Sequence, residues 1–169
     1  MGFSYKSRRS RDGFAFQNKL LQEIKSAGFN ASDVRTFFEK KGKSIGRNFT
    51  ITELCNFEHR FGDIRILVDD KEIWLECVTI NQEKSIFPER KIKKFRGTNR
   101  WYAFRVMEDH DTVYFLPSRS WNAYAKKMEN LAVHGKPFRK LFPENVLSFR
   151  KKVIGLQNFL VNHCKHPED

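Results

Sequence analysis

Apolar positions along this chain switch between helical and alternating periods, and the switches predict the order helix, hairpin, helix, hairpin, helices. From 13 to 27, Phe16, Leu20, Leu21 and Ile24 recur at helical spacing and Gly28 closes the pattern, so an amphipathic helix is predicted there. A second helix is predicted over 32–41, capped by Ser32 or Asp33, burying Phe37 and Phe38 and ending in the Lys40 to Lys43 run with Gly42. The stretch 46–55 fits an extended segment or a sheet edge, and 56–62 fits a loop or the start of a strand. Residues 64–68 and 73–80 are then apolar runs of Ile, Leu, Val and Trp, with Asp69-Asp70 supplying turn chemistry between them. Pro88 and Gly97 bracket another helix. A second hairpin is predicted from 100–106 and 112–116 across the acidic turn 108–111, with Pro117 ending it. Residues 118–133 and 144–163 predict a helical C-terminal part, in which Val146, Leu147, Phe149, Val153, Leu156, Phe159 and Leu160 form the apolar stripe. These elements make an α/β domain: a small mixed central sheet flanked by helices.

The first hairpin carries the chemistry. With Asp69-Asp70 as a two-residue loop, Val68 pairs with Lys71, and counting outward sets Asp63 opposite Glu76. Directly opposed side chains hold their Cβ atoms roughly 4.5–5.5 Å apart. Carboxylates that close repel each other, and a divalent metal with oxygen ligands removes the repulsion. Glu76 also stands inside the apolar run Trp74-Leu75-Glu76-Cys77-Val78, where an unpaired charge is costly. The alternative is an ordinary sheet in which Arg65 and Lys71 pair with the acids across strands.

Gly62-Asp63-Ile64 followed by Glu76 on the next strand resembles the PD-(D/E)XK nuclease superfamily. The resemblance implies a restriction-endonuclease-like fold in which Asp63, Glu76 and the backbone carbonyl of Cys77 hold Mg²⁺ or Mn²⁺. Val78 stands where that family usually has its lysine, and Phe61-Gly62 rather than proline precedes Asp63. Viral cap-snatching relatives take the lysine from the following helix, where this chain offers Lys84, Lys91, Lys93 and Lys94. Lys91 is the preferred substitute. Those relatives also take a metal-binding histidine from an earlier helix, a place His59 matches only weakly. In the junction-resolvase branch the first helix carries a glutamate four residues after a glycine; the matching residue here is Gln17, with Glu23 as an alternative.

Charge points the same way. The 169 residues carry 32 Lys and Arg against 20 Asp and Glu, a formal net charge of +12 that favours a polyanionic partner. From Lys84 to Arg105 there are eight basic residues and a single acid, Glu89. Lys84, Arg90, Lys93, Lys94, Arg96 and Arg100 are therefore assigned to nucleic-acid binding, with DNA preferred to RNA. Residues 1–12 form a basic arm before one domain at 13–169, and many relatives of this kind act as homodimers. Cys55, Cys77 and Cys164 lack the paired spacing of a structural zinc site and fit a reduced, intracellular setting in cytoplasm, nucleoid or nucleus. No apolar run approaches the about 18 residues of a spanning helix, and the N-terminus lacks the apolar core of a secretory signal. The reading is thus a metal-dependent endonuclease. A nucleic-acid binder that has lost the lysine, and with it activity, is the alternative; a subunit docking an acidic protein is a third.

Overall fold

In the computed structural model the described residues are 5–80, 85–106, 109–128, 130–133, 135–141 and 154–164. A mixed sheet of order β1-β2-β3-β5-β6-β9 forms the centre. Its strands are β1 (Asn30–Asp33), β2 (Ile64–Val68), β3 (Lys71–Ile80), β5 (Arg100–Val106), β6 (Asp109–Pro117) and β9 (Ile154–Gly155). Strands β3 and β5 pair in parallel, and the other neighbours pair antiparallel. A parallel pair needs a crossover, and the chain between them supplies β4 (Ser85–Pro88) and the short helix α4 (Glu89–Lys94).

Period-two alternation sends the strand side chains to two cores. Ile64, Ile66, Ile73 and Leu75 pack on Phe16, Leu20, Leu21 and Ile24 of helix α1 (Tyr5–Ser26), with Phe159 and Leu160 closing the same face. Trp74, Ile80, Tyr102 and Phe104 point the other way, into a core shared with α2 (Val34–Ser44), α3 (Ile51–Phe61), α4 and α5 (Ser118–Lys126). The α1 stripe is the one the sequence predicts, but the helix begins at Tyr5, so it takes in residues 5–12 assigned above to a basic arm.

Four further expectations are corrected. The segment 51–61, read as extended chain or loop, is helix α3: Thr50 accepts from the Glu53 N–H and Glu53 reaches back to the Thr50 backbone, a complete capping box. The helix predicted over 118–133 stops at Lys126. Beyond it, β7 (Asn130–Val133) and β8 (Lys136–Leu141) turn about Gly135 and join β4 in a second sheet of order β4-β8-β7. Of the helix predicted over 144–163, residues 144–153 lie outside the described residues. Residues 154–155 are strand, and a helical turn at Leu156–Phe159 runs on as a π-helical turn, Leu160–Cys164. Strand β6 also starts earlier than predicted, at Asp109 within the expected turn.

Candidate active site

The hairpin register is Val68 opposite Lys71 and Ile64 opposite Leu75. Asp69 turns the chain with φ +56°, a conformation Asp tolerates better than most residues. The regular ladder stops at Ile64, and the next residue back makes a different contact. The Asp63 N–H donates to the Leu75 carbonyl at 2.6 Å, while a carboxylate oxygen of Asp63 accepts from the Cys77 N–H at 2.8 Å. Gly62 makes this bend possible. It ends α3 at φ +82°, and a Cβ there would stand 2.4 Å from the Leu75 carbonyl oxygen. In an extended strand the N–H and C=O of one residue leave on the same side. The Cys77 carbonyl therefore faces the Asp63 edge, beyond the end of the ladder.

Glu76 lies between Trp74 and Val78 on the face covered by the helices, and it is 3% exposed. Its cation is Lys91, whose Nζ donates to Glu76 Oε1. The alternative pairing within the hairpin does not occur for Arg65, which bonds Glu72 at 2.8 Å and lies over the Phe37 ring. Burial holds the Asp63 carboxyl above its usual range, with the Lys91 charge and the Cys77 N–H pulling it partly back. Burial likewise lowers Lys91, against the opposing pull of Asp63 and Glu58. One lysine thus serves two acids in a desolvated place.

A small cavity of 90 Å³ opens beside Asp63, lined also by Phe14, Gln17, Asp33, Arg35 and Glu58. The Gln17 amide donates to Asp33 at 3.4 Å, and Arg35 binds Glu58 at 2.6 Å. Gln17 therefore reaches the site edge from α1, whereas Glu23 is not among these residues. Glu58 rides on α3, which the apolar pattern does not predict, and Arg35, on the predicted helix α2, carries no signal until Glu58 is placed opposite it. The capping sequence Thr50-x-x-Glu53 was the available signal. His59, one residue on, is partly buried and its Nδ1 has no hydrogen-bond partner among the described residues. Burial and the nearby Arg90, Lys94 and Lys91 all lower its pKa, so it is neutral at pH 7.

Of the other basic residues, Arg90, Lys93, Lys94 and Arg96 are exposed on and just beyond α4, while Arg100 is half-buried. Lys84 lies outside the described residues. Arg100 donates to the Arg60 carbonyl at 3.0 Å at the end of α3.

No protein-family model and no curated protein sequence matches the chain. Among solved structures it is similar to Hjc, a Holliday junction resolvase from the archaeal hyperthermophile Archaeoglobus fulgidus. The likeness covers 91% of this chain and 99% of the resolvase, with a TM-score of 0.50 at 13% identity. The chain has a restriction-endonuclease-like fold. Asp63 and Glu76 stand at the broken end of its central hairpin. Among the described residues no helix is long and apolar enough to cross a membrane.

The side chains suit a hard divalent cation. Asp63 and Glu76 offer carboxylate oxygens, and burial disfavours the charge on Asp63 unless a cation meets it. Among the described residues no three His, Cys, Asp or Glu side chains converge as a ligand set. An ion held by two carboxylates would keep much of its water, which is the habit of Mg²⁺.

Proposed function

We propose that this protein is a metal-dependent endonuclease that hydrolyses phosphodiester bonds, in DNA in preference to RNA. The observation that carries the reading is the contact of Lys91 with buried Glu76 beside Asp63, on a fold shared with a DNA resolvase. Asp63, Glu76 and the Cys77 carbonyl would hold Mg²⁺ or Mn²⁺. The bound ion supplies Lewis acidity toward a phosphoryl oxygen and a lowered pKa for a water ligand.

The protein's own residues do the rest. The Cys77 N–H fixes the Asp63 carboxylate in orientation, and Gly62 lets the backbone approach closely enough for that bond. Lys91 enters from the crossover helix in place of the strand lysine that Val78 displaces. The Lys91 ammonium would then stabilise the charge that builds on the phosphate. Arg90, Lys93, Lys94, Arg96 and Arg100 give phosphate contacts that position the substrate without reading sequence.

The test is cleavage of labelled single-stranded, duplex and Holliday-junction DNA, and of RNA, with Mg²⁺ or Mn²⁺. Asp63→Ala should abolish metal-dependent cutting. Lys91→Met alone leaves Glu76 buried without its partner and should cost roughly 3–5 kcal/mol of stability. The double variant Glu76→Gln/Lys91→Met removes both charges and should recover much of that stability while staying inactive. Cutting that survives Asp63→Ala would sink the assignment. Tight binding with no cutting in either metal would leave the nucleic-acid binder as the function.

A further inference from the structure

A second cavity, of 730 Å³, lies at the end of the sheet where β3 and β5 begin and β6 gives way to α5. Its volume is that of a small-ligand site. Five of its lining residues are basic, Lys71, Arg96, Arg100, Arg119 and Lys126, and none is Asp or Glu. Like charges gathered around a void repel one another, and an anion is what relieves them. Arg100 is half-buried at this wall and is held by its bond to the Arg60 carbonyl at 3.0 Å. Helix α5 begins at the same wall, at Ser118, with no side-chain cap from Pro117.

Two rings, Trp101 and His163, form part of the remaining wall. The Trp101 ring rests on Phe159 at 5.1 Å between centroids and meets the His163 ring at 4.5 Å. Trp101 and His163 both line the cavity and are only partly buried, so ring surface is left toward the void. A cationic rim beside a π-surface is the combination that takes a phosphate together with a planar base. The geometry points to a mononucleotide pocket. It holds one nucleotide unit, phosphate against Arg96, Arg100, Arg119 and Lys126, base against Trp101 and His163.

Two sources share that chemistry: the phosphorylated end of a nucleic-acid strand, and a free nucleotide. The position favours the strand end. Arg100 stands two residues before Tyr102, the register partner of Glu76, a separation of roughly 7 Å along β5. Ile92 lines the cavity next to Lys91 in sequence. A strand seated here thus lies alongside the carboxylates. The pocket itself does not depend on their being catalytic.

Binding in EDTA, where no cutting occurs, tests this apart from the nuclease reading. The probes are a short single-stranded DNA with a 5′-phosphate, the same strand with a 5′-hydroxyl, dAMP and inorganic phosphate, measured by calorimetry. The variants are Arg119→Ala/Lys126→Ala, both exposed, and Trp101→Leu, with thermal melts to confirm folding. A strand-end pocket gives about tenfold tighter binding of the phosphorylated strand, lost in Arg119→Ala/Lys126→Ala. Should Trp101→Leu unfold, Trp101→Phe takes its place and should keep the preference. Binding of dAMP at the same strength as the strand, with each displacing the other, supports the pocket with a free nucleotide as its source. Inorganic phosphate binding as well as dAMP would overturn it, since the base would then contribute nothing. So would equal binding of both strands with no loss in the variants.

Discussion

Asp63 is held in a costly state. Its carboxylate is partly buried, receives one backbone N–H, and shares its lysine with Glu76. Removing its charge without changing its shape should therefore help the metal-free protein. The wild type is expected to melt higher in Mn²⁺ than in EDTA, and Asp63→Asn to melt no lower than the wild type in EDTA but to show no such rise; differential scanning calorimetry reads both. His59 predicts a pH effect. Its folded pKa lies below the unfolded value of 6.5, so as pH falls through 6.5 the unfolded chain gains a proton that the folded one does not. Stability should then fall, down to the folded pKa. His163 is lowered too, by burial and by Lys71, and adds with the same sign. The denaturant midpoint should drop between pH 7.5 and 5.5, and His59→Gln should shrink the drop without abolishing it.

Among the elements, α4 matters out of proportion to its six residues, because Lys91 rides on it. Ile92 and Phe87 anchor it in the core, and Glu89 meets Arg139 of β8 at 3.7 Å. Arg139 also donates to the Lys126 and Met128 carbonyls, so the second sheet braces the helix from outside. Arg139→Met should cost about 1–3 kcal/mol, from carbonyls left without a donor. If Lys91 acts as proposed, it should lower kcat more than it raises KM. Single-turnover cleavage together with melts would separate the two effects. This brace was not legible in the sequence. Asn130-Leu131-Ala132-Val133 continues the helical spacing of α5 as readily as it forms a strand, and only pairing with Lys136–Leu141 decides it. The first hairpin was legible because a two-residue turn fixes its register and the register fixes Asp63 against Glu76 to within one residue. Helix α3 was hidden by Thr50-Ile51-Thr52, whose β-branched residues favour a strand locally while the capping box and the Phe38–Phe57 stack favour a helix. The approach of Lys91 to Glu76 belongs to neither element alone. The sequence offered several lysines, and the crossover geometry brings this one to the acid.

For the whole molecule, a net charge of +12 makes salt the natural probe. Affinity for duplex DNA should fall linearly on a log–log plot against salt, with a slope near −0.9 for each phosphate neutralised. Replacing Arg90, Lys93 or Lys94 singly by Gln should lower the slope by about one unit and weaken all sequences alike. A residue that moved affinity without moving the slope would not be touching phosphate. The parallel pairing of β3 with β5 has a temporal consequence as well. Lys91 lies in the connection between them, and the helix that carries it is seated by Ile92 in the core that the β3–β5 pairing builds, a long-range closure among the slower steps of folding. If Lys91 acts as proposed, the competence to cut arrives together with the packing of α4 against the finished sheet.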